Sequence, residues 1–357
     1  MKIGIVSYWF NRGQATVSRY IRSIYDRLGH ETFVLARPTK ESFYLPGFID
    51  TADVWNQQGV TAASHYDIPL REYIAWVKDN ALEAVFFDQN YQFKEIAKIR
   101  AMGIKTIGRF VWESFCKQHV KGAKKAFDII YSLNKCEQAR YSTLGIDSPW
   151  VPWGCHPELV AVIPQKKEDG IYFYYPGGYL SKRKPTKTAI QAFCKVSSPR
   201  IRLVIKTQHQ EKREELIGNI DTSDSRIKII NDDLSAQEYY NLFASCHVCL
   251  APSRWEGLGL HLYEAVAFGM PIITNNNPPM NEIVQDNYNG LLVKSHQIGY
   301  AESGIASYEP DVDDLSRAIQ LLSEKDMIDK LSQNTLELCK VMSWDKTSAC
   351  FKDLLCL

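Results

Sequence analysis

Short apolar runs alternate with amphipathic stretches along this sequence, stop at SPWVPWGCHPEL (residues 148–159), and then begin again. In the first series KIGIVSY, TFVLAR, AVFFDQ, KTIGRFV and DIIYSL have the length and the β-branched and aromatic content of buried strands. Between them TVSRYIRSIYDRLG and FKEIAKIRAMG carry apolar residues at helical spacing, and each ends at a glycine suited to a C-terminal cap. The second series has IYFYYPGG, IRLVIKT, RIKIIN, HVCLAPS and PIITN as strands, with KPTKTAIQAFCKV, SAQEYYNLFAS, LHLYEAVAFG and VDDLSRAIQLLSE as helices. Strands alternating with helices imply a parallel sheet covered on both faces. The expected class is α/β, with two domains facing each other across a gap: residues 1–155, residues 156–340, and a last helix over 341–357 that would pack back on the first domain. A chain of 357 residues is too long for one ordinary core and suits two.

Composition removes several classes of function. A content of 45% hydrophobic and 23% charged residues belongs to a globular protein. No apolar run reaches the ~18 residues of a spanning helix. The opening MKIGIVSYWF lacks a small-residue cleavage site and reads as a first strand, so the expected location is the cytoplasm. Nine scattered cysteines give no disulfide framework. Cys246 and Cys249 spell C-x-x-C, but within ASCHVCLAPS they read as buried hydrophobes of a strand entering a loop. The net charge of +1 is uneven: residues 1–155 carry 20 Lys and Arg against 15 Asp and Glu, a net +5, which leaves −4 for the remainder. That is too mild for a duplex nucleic-acid binder, and it is compatible with an anionic surface or a small anionic acceptor.

The most informative stretch is SRWEGLGLHLYEAVAFGMP, residues 253–271. Gly257 and Gly259 let the backbone approach a ligand, and the helix that follows offers unpaired N–H groups and a partial positive charge, which suits phosphate. Glu264 falls about one turn inside that helix and Glu256 in the loop before it, so each carboxylate is expected to take hydroxyls on one side of a diphosphate. Taken singly, either glutamate is an ordinary loop cap or a solvated helix residue. Together they suit a nucleotide sugar.

The same string, EGLGLHLYEAVAFGMP, resembles the signature E-G-F-G-x-x-x-x-E-A-x-A-x-G-x-P of retaining glycosyltransferases of family 4, which have the GT-B architecture of two Rossmann-like domains. Leu258 replaces the usual aromatic residue and His261 stands where proline is common. MKIGIVSYWF followed by RGQATVSRYIRSIYDRLGHETFVL is similar to the family's first strand, glycine loop and helix, with Gly13 beside Arg12 where two glycines are usual. WVPWGCHPEL looks like its linker, YYPGGYLSKRKPTKTAIQAF like the segment that grips the donor diphosphate, and TNNNPPMNEIVQDNYNGLLV and the late SW of MSWDK complete the likeness.

The resemblance implies a retaining, metal-independent transfer of a sugar from a nucleotide-sugar donor to a glycan or lipid-linked acceptor, as in assembly of bacterial surface polysaccharides. It implies no cofactor, a UDP- or GDP-sugar as donor, and no nucleic-acid partner. Glu256 would position the donor sugar, Glu264 would hold the ribose, and the amides of Gly257, Leu258, Gly259 and Leu260 would meet the leaving group, with Gly13 approaching from the first domain. Tyr179 stands where the family commonly has arginine, so Arg183 and Lys184 are the expected cations, with Lys206 as a further candidate and Lys182 as the solvated member of SKRK. On the acceptor side Arg109, Glu113 and His119 fall near where the family places its acceptor pocket. Lys117, Lys121, Lys124 and Lys125, set among Trp112, Phe115 and Phe127, would lean on the inner leaflet of a membrane or form an ordinary solvated helix face. The D-x-D string Asp311 to Asp313 reads as the cap and first turn of a helix.

Three other readings compete. An oxidoreductase would need G-x-G-x-x-G after KIGIVSY and an acidic residue ending the next strand, and neither is present. A non-catalytic module that kept the fold, and a phosphorylase or epimerase of the same architecture, are separated from a transferase by product analysis with and without an acceptor.

Overall fold

The computed structural model describes residues 1–9, 13–38, 56–178, 182–208, 223–232 and 234–357. The chain divides into two compact units, Met1–Trp153 with Asp345–Leu357, and Gly154–Trp344.

The first unit is built on β1 (Lys2–Tyr8), β2 (Glu31–Arg37), β3 (Val60–Ala62), β4 (Ala84–Asp88), β5 (Lys105–Arg109) and β6 (Ile129–Ile130), in the spatial order β3-β2-β1-β4-β5-β6 with every pairing parallel. Its crossovers include α1 (Gly13–Arg27), α2 (Leu70–Asp79), α3 (Phe93–Arg100), α4 (Val120–Ala126) and α5 (Lys135–Thr143). Strand residues Val6, Leu35, Val85 and Phe87 share one core with Trp76, Ile96 and Ile99 from the helices and Phe127 just after α4. The sheet and α2 meet so closely that a Cβ at residue 4 would lie 2.5 Å from the Trp76 ring, which is why Gly4 interrupts an otherwise branched strand.

The second unit contains α6 (Pro157–Val160), β7 (Ile171–Gly178), α7 (Thr186–Cys194), β8 (Ile201–Thr207), β9 (Ile227–Ile230), α8 (Ala236–Ala244), β10 (Val248–Leu250), α9 (Leu260–Ala267), β11 (Ile272–Asn275), α10 (Met280–Ile283) and β12 (Gly290–Val293). After them come β13 (Ser295–Tyr300), β14 (Ala306–Pro310), α11 (Val312–Leu321) and α12 (Lys325–Val341). Its parallel sheet runs β12-β11-β10-β7-β8-β9, while β13 and β14 form a separate antiparallel pair. Local chemistry sets the helix starts. Ser235 and Glu238 make a reciprocal capping box at α8, and Asp311 accepts the Asp314 amide at 2.7 Å to cap α11, while Asp313 pairs with Lys195. Cys249 is buried within β10, and Cys246 is buried in the bend before it.

The last helix, α13 (Trp344–Leu354), lies in the first unit from Asp345 onward. Phe351 is fully buried there, the Tyr25 hydroxyl donates to its carbonyl at 2.8 Å, and Lys105 Nζ donates to the Leu355 carbonyl at 2.8 Å.

The apolar patterning marks neither the β13–β14 pair nor α12. β13 is largely exposed, β14 is half-buried, neither alternates apolar with polar residues, and only Ile328, Leu331 and Thr335 of α12 are buried. In each large sheet the order turns about the first strand of its series, with β1 between β2 and β4 and β7 between β10 and β8. Loops leaving the carboxyl ends of such neighbouring strands diverge, and open α/β sheets take their ligands there. Among the described residues no helix is long and apolar enough to cross a membrane.

Candidate functional site

Lys184 lies in the connection after β7, and Ser253 and Glu256 in the loop after β10, so the switch point of the second sheet brings together residues 72 positions apart. Lys184 Nζ donates to Glu256 Oε1 at 2.6 Å and to Ser253 Oγ at 2.9 Å. Arg183 Nη1 stands 3.7 Å from Glu256 Oε2, and His261 Nε2 stands 3.8 Å from Oε1. Backbone bonds tie the two loops, because the Arg254 amide donates to the Arg183 carbonyl at 2.9 Å and its guanidinium to the Lys182 carbonyl at 2.5 Å. Arg254 is itself paired with Glu309, and Asn275 Nδ2 holds the Ser253 carbonyl at 3.1 Å from the end of β11.

Glu256 is 4% exposed and Lys184 9%, so this is a pair withdrawn from water. Burial alone would raise the Glu256 carboxyl, but the charges of Lys184 and then Arg183 outweigh it and hold Glu256 well below the usual carboxylate range. Burial lowers Lys184, and the Glu256 carboxylate opposes that shift, so the charge on each depends on the other. Burial and the same cations push His261 down to about 3, which keeps its imidazole neutral.

The chain leaves Glu256 through Gly257 and Leu258 and enters α9 from Gly259, whose φ of 75° is left-handed. No side chain caps α9, so its first amides are not claimed by a capping group. Glu264 lies one turn inside, half-buried, with its Oε2 accepting from the Tyr239 hydroxyl at 2.8 Å, and burial pushes its carboxyl up to about 7. One loop and one helix start thus present fixed cations, backbone N–H groups and two carboxylates of opposite character, one held ionised and one poised near neutrality.

The structure therefore brings Arg183, Lys184, Glu256, Gly257, Leu258, Gly259, Leu260 and Glu264 into one stretch of the second unit, with Lys182 exposed beside them. Lys206 lies at the end of β8, its ammonium donating to the Thr207 and Asp232 carbonyls. Tyr179 and Arg12 lie outside the described residues. Ser253, His261 and Tyr239 complete the arrangement, and only the departure of His261 from the signature singles any of them out in the sequence.

In the first unit Gly13 is the exposed first residue of α1. Arg109 is 2% exposed and donates to Asp88 Oδ1 at 3.2 Å. Burial works against its charge, but the nearby Glu137 and Asp88 carboxylates more than compensate. Its guanidinium is thus committed to a buried ionic group that the sequence does not announce, because Asp88 and Glu137 sit on other elements. Glu113 is half-buried. His119 takes the Cys116 amide on Nδ1 at 3.0 Å and packs its ring 4.8 Å from that of Tyr91, and burial lowers its pKa. Lys117, Lys121, Lys124 and Lys125 are exposed, but Trp112, Phe115 and Phe127 are buried, so none of these three aromatics stands with the lysines on the surface.

Residues 159–320 match the family model described as glycosyl transferases group 1, and this stretch contains the whole Lys184–Glu256–Glu264 arrangement. A 113-residue stretch, 31% of this chain, is 29% identical to an uncharacterized glycosyltransferase of Methanocaldococcus jannaschii, of which it spans 28%. A 51-residue stretch, 14% of this chain, is 43% identical to an uncharacterized 41.2 kDa protein in the cps region of Klebsiella pneumoniae, and spans 14% of that protein. The aligned stretches thus cover well under a third of either relative. Among solved structures, Anabaena HepE in complex with UDP and glucose superposes with a TM-score of 0.74 at 13% identity, covering 100% of both chains. The fold is that of GT-B glycosyltransferases, two parallel-sheet Rossmann-like units. Within it, the segment 159–320 is similar to the glycosyl transferases group 1 family.

Proposed function

We propose that this protein is a retaining glycosyltransferase that moves a sugar from a nucleotide-sugar donor to a glycan or lipid-linked acceptor. The observation that carries the reading is the buried Lys184–Glu256 pair set beside the uncapped start of α9, inside the segment that matches glycosyl transferases group 1. In transfer the bond from the sugar C1 to the diphosphate oxygen breaks and a bond from C1 to the acceptor oxygen forms. The leaving phosphate gains charge as the sugar becomes oxocarbenium-like. Arg183, Lys184 and the amides of residues 257–260 supply fixed positive charge for that phosphate, so the reaction calls on no metal or organic cofactor. The acceptor's proton passes to the departing phosphate on the same face of the sugar, which keeps the anomeric configuration. Glu256, held ionised, orients the sugar hydroxyls and stabilises the developing cation, and Glu264 receives the ribose diol.

UDP is the first donor nucleotide to test, because HepE was solved with UDP and glucose. Assembly of a surface polysaccharide is supported by the relative in the cps region. A nucleotide-sugar donor places the work in the cytoplasm. The exposed lysines near α4 offer a weak contact to an anionic inner leaflet, and Glu113 and His119 remain the acceptor-side candidates of the first unit.

The test is a thermal-shift panel of UDP-, GDP- and ADP-sugars in EDTA, followed by turnover assays. One nucleotide class is expected to raise the melting temperature without metal. Glu264→Gln is expected to weaken nucleotide binding, and Glu256→Gln to lower turnover about 10²-fold, as for loss of a group acting on transition-state charge. Wild-type turnover in both variants would sink the assignment.

A further inference from the structure

Glu264 is held from another helix. The Tyr239 hydroxyl of α8 donates to Glu264 Oε2 at 2.8 Å, across 25 positions of sequence. Tyr239 is itself anchored on aromatic packing that links α8, β7 and the end of α9. Its ring meets Phe243 edge-on at 6.2 Å between centroids, Phe243 stacks on Tyr174 of β7 at 3.9 Å, and Phe268 closes against Phe243 at 5.4 Å. Burial and then the Glu264 charge drive the Tyr239 phenol well above its ordinary pKa, so it stays a donor at any working pH.

We propose that Tyr239 is a positioning residue for nucleotide binding: its O–H fixes Oε2 of Glu264, so that Oε1 and the remaining lone pair of Oε2 are presented to the vicinal hydroxyls of a ribose. The proposal rests on the reading of Glu264 as the ribose-binding carboxylate. An ionised carboxylate has about four acceptor positions, enough for Tyr239 and a diol together. A glutamate free to rotate loses rotamer entropy when a ligand orders it. A bond already made in the free protein removes part of that cost before the nucleotide arrives.

The same geometry couples binding to a proton. Among the described residues the titratable groups that face Glu264 are Tyr239 from α8, Tyr174 from β7 and Cys249 from β10, and all three are held neutral by burial. No cation among them offsets burial, which brings the Glu264 carboxyl up to about 7, and the Tyr239 bond works in the opposite direction. A diol donates to the ionised form, so protonation competes with the nucleotide. Affinity rises as pH climbs through the Glu264 titration, and loss of the Tyr239 donor moves that titration upward.

The experiment is calorimetric titration of the full chain with UDP, and in parallel GDP and ADP, from pH 6 to 8.5, for the wild type, Tyr239→Phe and Glu264→Gln. The terminal phosphate of the nucleotide titrates near ~6, and the Glu264→Gln series supplies that background. Tyr239→Phe is expected to bind about 5-fold more weakly at pH 7, in line with one lost hydrogen bond, with its pH midpoint above that of the wild type. Glu264→Gln is expected to bind weakly with only the phosphate dependence left. If Glu264→Gln is weakened while Tyr239→Phe matches the wild type in affinity and midpoint, the role of Tyr239 is overturned and the ribose reading stands. If Glu264→Gln binds as the wild type does, both are overturned. A wild-type affinity with no more pH dependence than Glu264→Gln overturns the proton coupling whether or not the phenylalanine variant folds.

Discussion

Lys184 and Glu256 are each other's condition for being charged inside the protein. Removing one partner of such a pair costs more than the pair contributes, because a bare charge is left without water. Lys184→Ala is therefore expected to destabilise the second unit by ~3 kcal/mol, read by urea unfolding, with part of the loss recovered when Glu256→Gln is added. Equal stability of Lys184→Ala and the wild type would mean that water reaches Glu256. At this scale legibility follows sequence distance. Glu256 and Glu264 stand eight positions apart in one recognisable string, so the string alone is enough to propose chemistry for them. Ser253 and Tyr239 join the site only through contacts at 69 and 25 positions, and a serine or tyrosine in a loop or on a helix carries no mark of the partner it will meet. Arg109 shows the reverse: its position is legible, but the Asp88 and Glu137 carboxylates that claim it are not.

Among the elements, the junction between loop and α9 is the most demanding. Gly259 adopts φ of 75°, and a Cβ there would come within 3.1 Å of the Leu262 side chain. Gly259→Ala should cost ~1–2 kcal/mol through the left-handed backbone and tilt the first amides of α9. The expected outcome is a lower melting temperature together with weaker nucleotide binding, and an unchanged value of either would detach this turn from the site. Strands and helices with apolar faces are readable along the chain, including all those that carry the second sheet's switch point. β13 and β14 are not, because neither alternates apolar with polar residues, and in α12 the buried Ile328 and Leu331 are diluted by polar neighbours along a long helix.

At the scale of the whole molecule, the first unit depends on residues from both ends of the chain. Phe351 is fully buried, packs its ring 6.3 Å from Tyr25 and 5.5 Å from Tyr131, and its carbonyl holds the Tyr25 hydroxyl. Phe351→Ala should remove ~3–5 kcal/mol from that unit. Hydrogen exchange followed peptide by peptide is expected to show faster exchange in β1, β4 and α1, with β7 to β12 unchanged; uniform acceleration across both units would mean that they unfold as one.

The same helix sets an order on the birth of the molecule. A ribosome delivers residues 1–153 first, yet the Tyr25 hydroxyl waits for a carbonyl 326 positions later. The second unit, Gly154–Trp344, is released before the final residues of the first, so the half synthesised earliest is the half completed last, and until then it carries an uncovered apolar face.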